Sequence, residues 1–215
     1  MSDYKSMHHG STSVEFAQYV LKHPKLANVT GGGGEVLFID NGSADGNWAE
    51  AAHNIVSENF NFIGIEKDRK LFEESSLRVR EMNDDRLTIK WMDFCALTFD
   101  FLEMIRGYDR VVMFLNNDRH RMADSPTNDL TNTMESRLVE SLLNYSVGTV
   151  LICMGVLPVH EDWVLQTYCV STRKMKPLTY DPGRDKVHLY RYEKVGESNR
   201  RRRGGSRRNA IDIAE

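Results

Sequence analysis

The chain has 215 residues, of which 40% are hydrophobic and 27% are charged, and this composition fits one soluble domain with a sizeable core. The formal net charge of −3 hides an uneven distribution, because residues 196–215 carry six arginines against one aspartate and two glutamates. An acidic globule with a basic tail indicates a polyanionic partner.

Cysteine content and the N-terminus exclude several classes of protein. The three cysteines, Cys95, Cys153 and Cys169, are odd in number and not closely paired, which argues against a disulfide framework and a zinc cluster. The first residues contain no apolar segment typical of a signal peptide, and no apolar run approaches the roughly 20 residues of a membrane span. We expect a cytosolic or nuclear protein with no metal and no membrane partner.

Hydrophobic periodicity predicts alternating helices and strands along the chain. Apolar residues at helical spacing predict helices at 13–26, 47–60, 71–82 and 133–145. Short apolar runs predict strands at 35–40, 61–67, 87–94, 108–117 and 149–156, with further β-rich segments at 163–170 and 186–195. Four glycines at 31–34 predict a flexible joint, and the low apolar content of 196–210 predicts a disordered tail.

Alternation of short strands with helices predicts an α/β fold with a doubly wound, mostly parallel sheet and helices on both faces. In such sheets ligands bind beyond the carboxyl ends of the strands. Polar residues stand at four of these predicted ends: Asp40, Glu66, Asp93 and Asn116. We therefore expect them to face one crevice.

The stretch VLFIDNGSADGNW (36–48) predicts a strand, a glycine-rich turn and a helix. No lysine follows the glycines, as the P-loop requires, and the dinucleotide pattern would need glycine at Ala44 and Asn47. A calcium loop would need polar ligands at Gly42 and Ala44. What remains is D-x-G-x-A-x-G-N, which is also compatible with a plain tight connection between strand and helix.

The remaining pattern resembles the first motif of the class I S-adenosylmethionine-dependent methyltransferases. Small residues let the backbone approach a nucleoside that carries no phosphate. An acidic residue after the second strand, here Glu66, can accept hydrogen bonds from both ribose hydroxyls. The motif is specific only together with Glu66 and with Asp93-Phe94 on the following strands.

Further segments resemble the DOT-type (disruptor of telomeric silencing) histone lysine methyltransferases. HGSTSVEFAQYVL (9–21) is similar to the family's Y-G-E-T-S-F-D-L-V segment, and IDNGSADGN (39–47) to its D-L-G-S-G-V-G-N. GIEK (64–67), MDF (92–94) and FLNN (114–117) are similar to G-V-E-K, G-D-F and F-V-N-N. YDPGRDKVHLY (180–190) has the length of the family's W-T-G-K-P-V-S-Y-Y-L-H segment.

The resemblance spans residues 9–192. It implies a seven-stranded Rossmann-like methyltransferase sheet with S-adenosyl-L-methionine as cofactor. It also implies methyl transfer to a lysine on the nucleosomal core of histone H3, in the nucleus. The implied organisation is an N-terminal loop and helix at 1–30 that closes the cofactor site and a methyltransferase domain at 31–195, in a monomer. We predict that the basic tail at 196–215 as a whole is disordered.

The resemblance implies roles for individual residues. The cofactor would be bound by Ser11, Thr12, Asp40, Gly42, Ser43, Ala44, Gly46, Asn47, Glu66, Lys67, Asp93, Phe94 and Asn116. Asn116 and Tyr180 would stand at the point of methyl transfer.

The sequence departs from the family on the side of the acceptor. The family follows its two asparagines with aromatic residues that wall the lysine channel, and this chain has Asp118, Arg119 and His120 there. Tyr180 stands where the family has a channel tryptophan, and Ser11 where it has glutamate. These differences leave open a methyltransferase for another protein or for RNA, or a chromatin-binding homologue that lacks catalysis.

The basic tail predicts contact with nucleic acid, as in binding to nucleosomes. Its six arginines are Arg200, Arg201, Arg202, Arg203, Arg207 and Arg208. A nuclear localisation signal or a solubilising run would have the same composition.

Overall fold

The computed structural model describes residues 12–96, 98–117, 140–157, 159–171 and 186–196, and the backbone of 211–213. Within them lie four labelled helices: α1 (Val14–Lys22), α2 (Asn47–His53), α3 (Arg69–Met82) and α4 (Phe99–Arg106). The strands are β1 (Val36–Asn41), β2 (Phe60–Glu66), β3 (Leu87–Trp91), β4 (Arg110–Leu115), β5 (Val150–Cys153), β6 (Trp163–Ser171), β7 (Lys186–Lys194) and β8 (Ile211–Ile213).

All eight strands form one sheet in the order β3-β2-β1-β4-β5-β7-β6-β8. The first five run parallel, and β7 is antiparallel to both β5 and β6. The predicted α/β architecture is confirmed. β8 pairs with β6 in parallel, so three residues of the predicted disordered tail belong to the sheet, and the tail prediction is wrong at these residues.

The strands are apolar because both faces of the sheet are covered. Along β1, Phe38 packs into the core on one face, while Leu37 and Ile39 pack into the core on the other. Trp48 of α2 stacks on Phe38 at 5.1 Å and contacts Phe114 at 4.2 Å between ring centroids. This packing holds α2, and with it the glycine-rich turn, against the carboxyl half of β1 and β4.

Helix α1 confirms the predicted amphipathic segment over a shorter range. Its buried residues are Phe16, Ala17, Val20 and Leu21. Ser13 starts the helix by accepting a hydrogen bond from Phe16 N at 3.2 Å, which is a typical N-cap contact. The helix ends at Lys22, two residues before Pro24.

Several other predicted elements are also longer than those observed, and one helix is missed. Helix α2 stops at His53, because Ile55 turns into the core while Val56 is 98% exposed. Strand β3 stops at Trp91 instead of Asp93, since the Asp93 carboxylate accepts from Cys95 N at 2.8 Å and folds a local turn there. Helix α4 was not predicted, although Thr98 caps it by accepting from Phe101 N at 3.2 Å.

The helix predicted at 133–145 is helical at 140–142, and its earlier residues lie outside those described. Within the described residues, no disulfide involves Cys95, Cys153 or Cys169. Across the described ranges, every helix is too short or too polar to traverse a bilayer.

Candidate active site

The carboxyl ends of β1, β2 and β4 bring three of the predicted residues to one edge of the sheet. Asp40 pairs in register with Gly64 of β2 and with Phe114 of β4. Glu66 ends β2, and Asn116 directly follows β4. These predicted residues therefore lie on neighbouring strand ends at one edge of the sheet, with the Asp93 turn beyond β3.

The glycine-rich turn folds back onto the end of β2. Gly42 N and Ser43 N both donate to the carbonyl of Ile65 at 2.9 Å. Gly42 and Gly46 have φ angles of +88° and +79°, which favour glycine. A Cβ at Gly42 would meet no atom within 4 Å, so the turn presents bare backbone to open space.

Glu66 braces this turn. Its Oε2 accepts from Ala44 N at 2.9 Å and its Oε1 accepts from Asp68 N at 2.8 Å. The side chain is only 5% exposed. Each carboxylate oxygen can accept a second hydrogen bond, so Glu66 can hold the turn and also bind a ligand's hydroxyl groups.

Asp40 is a buried carboxyl group whose Oδ2 has no hydrogen-bond partner among the residues that the structure describes. Burial raises the pKa of Asp40 to about 8; the Ser43 hydroxyl opposes this rise, and the negative charges of Glu66 and Asp45 add to it. The Ser43 hydroxyl does not meet the geometry of a hydrogen bond, since its Oγ is also without a partner within the described ranges. The Ser43 hydroxyl therefore acts on the pKa of Asp40 only as a weak dipole nearby.

Thr12 carries a third such atom. Its Oγ1 is buried and unpartnered in the described part of the chain, and its backbone carbonyl accepts from Asn47 Nδ2 at 3.0 Å. Buried polar atoms without partners are rare in native proteins and call for an explanation. A polar ligand beside Asp40, Ser43 and Thr12 would supply one.

Asn47 serves the scaffold with its side chain. Besides holding Thr12, it accepts from Arg78 Nη1 at 3.0 Å. Arg78 also donates to Asp45 O at 2.7 Å and pairs with Glu50. This cluster fixes the segment before α1 over the glycine-rich turn, and sequence reasoning missed Arg78, which lies 31 residues from Asn47.

Three more of the predicted cofactor-binding residues, Lys67, Asp93 and Phe94, lie in the turns after β2 and β3. Phe94 is half-buried and packs against the core face that contains Ile63 and Ile65. Lys67 is exposed, and its carbonyl accepts from Trp91 Nε1 at 3.0 Å. The side chain of Asp93 is half-buried, so it can still face a ligand while it caps its own turn.

The two asparagines after β4 differ in their surroundings. Asn117 is 3% exposed; its Oδ1 accepts from Gly155 N at 2.6 Å and its Nδ2 donates to Gly155 O at 3.2 Å. A Cβ at Gly155 would lie 2.6 Å from the Asn117 carbonyl oxygen. Asn117 is thus a brace that sequence reasoning missed, and Asn116 beside it is half-buried directly after β4.

Several predicted residues cannot be placed. Outside the described residues lie Ser11, the segment Asp118 to His120, Tyr180 and the six arginines at 200–208.

Gly64 was not among the predicted site residues, and the structure shows why it matters. We expect Gly64→Ala to lower the free energy of unfolding by about 1–3 kcal/mol, because the new Cβ would lie 2.4 Å from Ser43 Oγ and 2.6 Å from Ile89 Cδ1. Urea denaturation measures the change. Gly33→Ala is the matched control, since a Cβ there meets no atom within 4 Å; equal stability of the two variants would contradict the prediction.

The order and directions of the strands, with antiparallel β7 between β5 and β6, are those of the class I S-adenosylmethionine-dependent methyltransferase fold. A Listeria monocytogenes protein described as such an enzyme is similar, with 9% identity over 94% of this chain and 63% of that one and a TM-score of 0.52. TrmN from Thermus thermophilus has 11% identity over 83% of this chain and 48% of its own, with a TM-score of 0.50.

An RNA methyltransferase of Salinibacter ruber, solved with S-adenosyl-L-homocysteine, has 17% identity over 76% of this chain and 82% of its own, at a TM-score of 0.40. No protein-family profile matches this chain, and no curated protein matches it. At such low identities the similarities establish the fold and leave the substrate open.

Proposed function

We propose that this protein is an S-adenosylmethionine-dependent methyltransferase. The observation that carries the proposal concerns three of the buried oxygens without a partner in the described chain, those of Asp40, Ser43 and Thr12. They belong to the end of β1, to the glycine-rich turn and to the segment that Asn47 holds. These groups suit the methionine portion of the cofactor, whose ammonium group needs acceptors. Glu66, with one free acceptor site on each oxygen, suits two vicinal ribose hydroxyls.

The remaining predicted residues would bind and orient the cofactor and the acceptor. Asp93 would accept from the adenine amino group, with Phe94 packed on the ring. The bound cofactor supplies an electrophilic methyl group. Asn116 would orient the acceptor at the mouth of the crevice, so that acceptor and methyl group meet at roughly 3–3.5 Å in line.

For the acceptor, we rank RNA or a protein other than histone H3 ahead of the lysine of histone H3. The support is the sequence at the channel, where Asp118, Arg119 and His120 replace the aromatic residues of the DOT-type family. A lysine acceptor must first lose its proton, which costs about 4 kcal/mol at neutral pH, and apolar channel walls would lower that cost. Charged residues in the channel would not lower the cost of deprotonating the lysine.

The six arginines at 200–208 support a polyanionic substrate, since each neutralised phosphate adds a salt-dependent contribution to affinity. Both RNA and nucleosomal DNA have this chemistry. A nuclear location belongs to the same proposal, and imaging of the tagged chain with and without the arginine segment would test it.

Two measurements test the proposed function. Isothermal titration with S-adenosylmethionine tests the cofactor, and no binding at high micromolar concentration would overturn the proposal. Transfer of a radiolabelled methyl group is then compared among total RNA, free histones and nucleosomes, with Glu66→Ala as the inactive control. Labelling of nucleosomes alone would reverse the ranking of acceptors and restore histone H3 lysine as the substrate.

A further inference from the structure

The starting point is the electrostatic setting of Asp40. The residue is 2% exposed and its Oδ2 is buried without a partner in the described chain. An unpaired carboxylate ion in such a place is strongly disfavoured, so the neutral acid is the form that the protein itself supports.

The charged groups around Asp40 strengthen this preference. Glu66 at the end of β2 and Asp45 in the turn both carry negative charge close enough to disfavour a third one. Arg78 of α3, the cation that contacts the glycine-rich turn, is bound to Glu50 and to the Asp45 carbonyl. No lysine or arginine contributes to the ionisation of Asp40 among the described groups.

We infer that Asp40 exchanges its buried proton for the ammonium group of the ligand's amino-acid portion, so that binding of S-adenosylmethionine releases one proton to solvent. This inference rests on the proposed function and deepens it. In the free protein the Asp40 carboxyl group keeps its O–H bond and is therefore neutral. When the ligand's ammonium group enters, that bond breaks, the proton leaves to water, and the carboxylate accepts a hydrogen bond from the ammonium group. The Asp40 carboxyl is thus neutralised by its own proton before binding and by the ligand's ammonium group after it.

The exchange gives the site a selectivity that a neutral pocket would lack. A ligand with an ammonium group compensates the ionised carboxylate, whereas a nucleoside without the amino-acid portion leaves the carboxyl protonated. 5′-Methylthioadenosine is such a nucleoside and shares the adenosine and the sulfur atom. It should therefore bind without proton release.

Isothermal titration of the full chain with S-adenosylmethionine is the test. The affinity is expected to rise about tenfold from about pH 6 to about pH 7, as required when one proton leaves a group titrating near the pKa of Asp40. Above about pH 8 the affinity should stop rising and then fall, because Asp40 is already ionised in the free protein and the ligand's own α-amino group loses its proton. At about pH 7, repeating the titration in phosphate and in Tris, whose ionisation enthalpies differ, should show release of close to one proton.

Variants and ligands separate the outcomes. Asp40→Asn should remove both the pH dependence and the proton release, while Glu74→Gln, which removes an exposed carboxylate on α3, should keep both. 5′-Methylthioadenosine should show neither with the wild-type protein. If Asp40→Asn fails to fold, the buffer comparison on the wild-type protein decides alone.

Failure of this inference is distinguishable from failure of the proposed function. Binding of S-adenosylmethionine with the same heat in both buffers and no change in affinity with pH would overturn the proton exchange and leave the cofactor in place. The absence of binding at every pH would overturn the proposed function, and the inference with it.

Discussion

Replacement of Glu66 by alanine is expected to lower the affinity for S-adenosylmethionine by about 100-fold or more, the equivalent of two lost hydrogen bonds to a charged group. The same change should lower the free energy of unfolding by about 2 kcal/mol, since it leaves two backbone N–H groups without acceptors. Those groups are Ala44 N and Asp68 N. Titration calorimetry and urea denaturation measure the two effects separately.

Two control variants make the Glu66 experiment specific. Glu66→Gln keeps the shape but offers one oxygen in place of two, so it should lose much of the affinity with less loss of stability. Glu74→Ala removes a carboxylate that is 58% exposed on α3 and should change neither quantity. If Glu66→Ala bound the cofactor as well as Glu74→Ala does, the ribose role of Glu66 would be wrong.

Lys194→Ala is expected to lower the free energy of unfolding by about 3 kcal/mol or more, because it removes the buried cation beside Asp162 and leaves that carboxylate, among the described residues, only its contact with His160. The ammonium group donates to the carbonyl of Leu143 at 2.8 Å and lies 3.7 Å from Asp162 Oδ2. Lys194 is 8% exposed and Asp162 is 9% exposed. The lysine thus joins the end of β7 to the chain that precedes β5, and denaturant unfolding measures its contribution.

The matched control for Lys194 is Lys70, whose ion pair with Glu74 is on the surface, with the lysine side chain 84% exposed. Lys70→Ala should change stability by less than about 0.5 kcal/mol. The double variant Lys194→Met with Asp162→Asn should recover part of the loss, since it removes both charges together. A loss for Lys194→Ala no larger than for Lys70→Ala would show that the buried pair is not structurally important.

Much of the site could be predicted because its signals are local. The order of Asp40, the glycine-rich turn, Glu66 and Asp93 along successive strands was enough to place them at one edge of a sheet, because parallel strands all end on the same side. The boundaries were less accurate. Strand β3 was extended to Asp93 because the short side-chain turn to Cys95 N leaves little trace in hydrophobic periodicity.

Residues that hold the site through distant contacts were not predictable in this way. Asn117 binds Gly155, which is 38 residues away. Position 64 must be glycine because a Cβ there would collide with Ser43, which belongs to the glycine-rich turn. Nothing in the neighbourhood of either residue in the sequence indicates its partner. Trp91 is similar, since its indole N–H holds the carbonyl of Lys67 from the adjacent strand end.

The sequence by itself determined the class of fold and the approximate position of the site, because hydrophobic periodicity and the backbone needs of a tight turn are properties of short segments. Only the tertiary structure decided that Asp40 is a buried acid with an unpartnered oxygen in the described chain. It also decided that Glu66, which the sequence suggested as a ribose ligand, accepts a hydrogen bond from the glycine-rich turn. Burial and long-range hydrogen bonds depend on which segments pack together. The ionisation of Asp40, and therefore how the site is expected to bind a cation, follows from that packing.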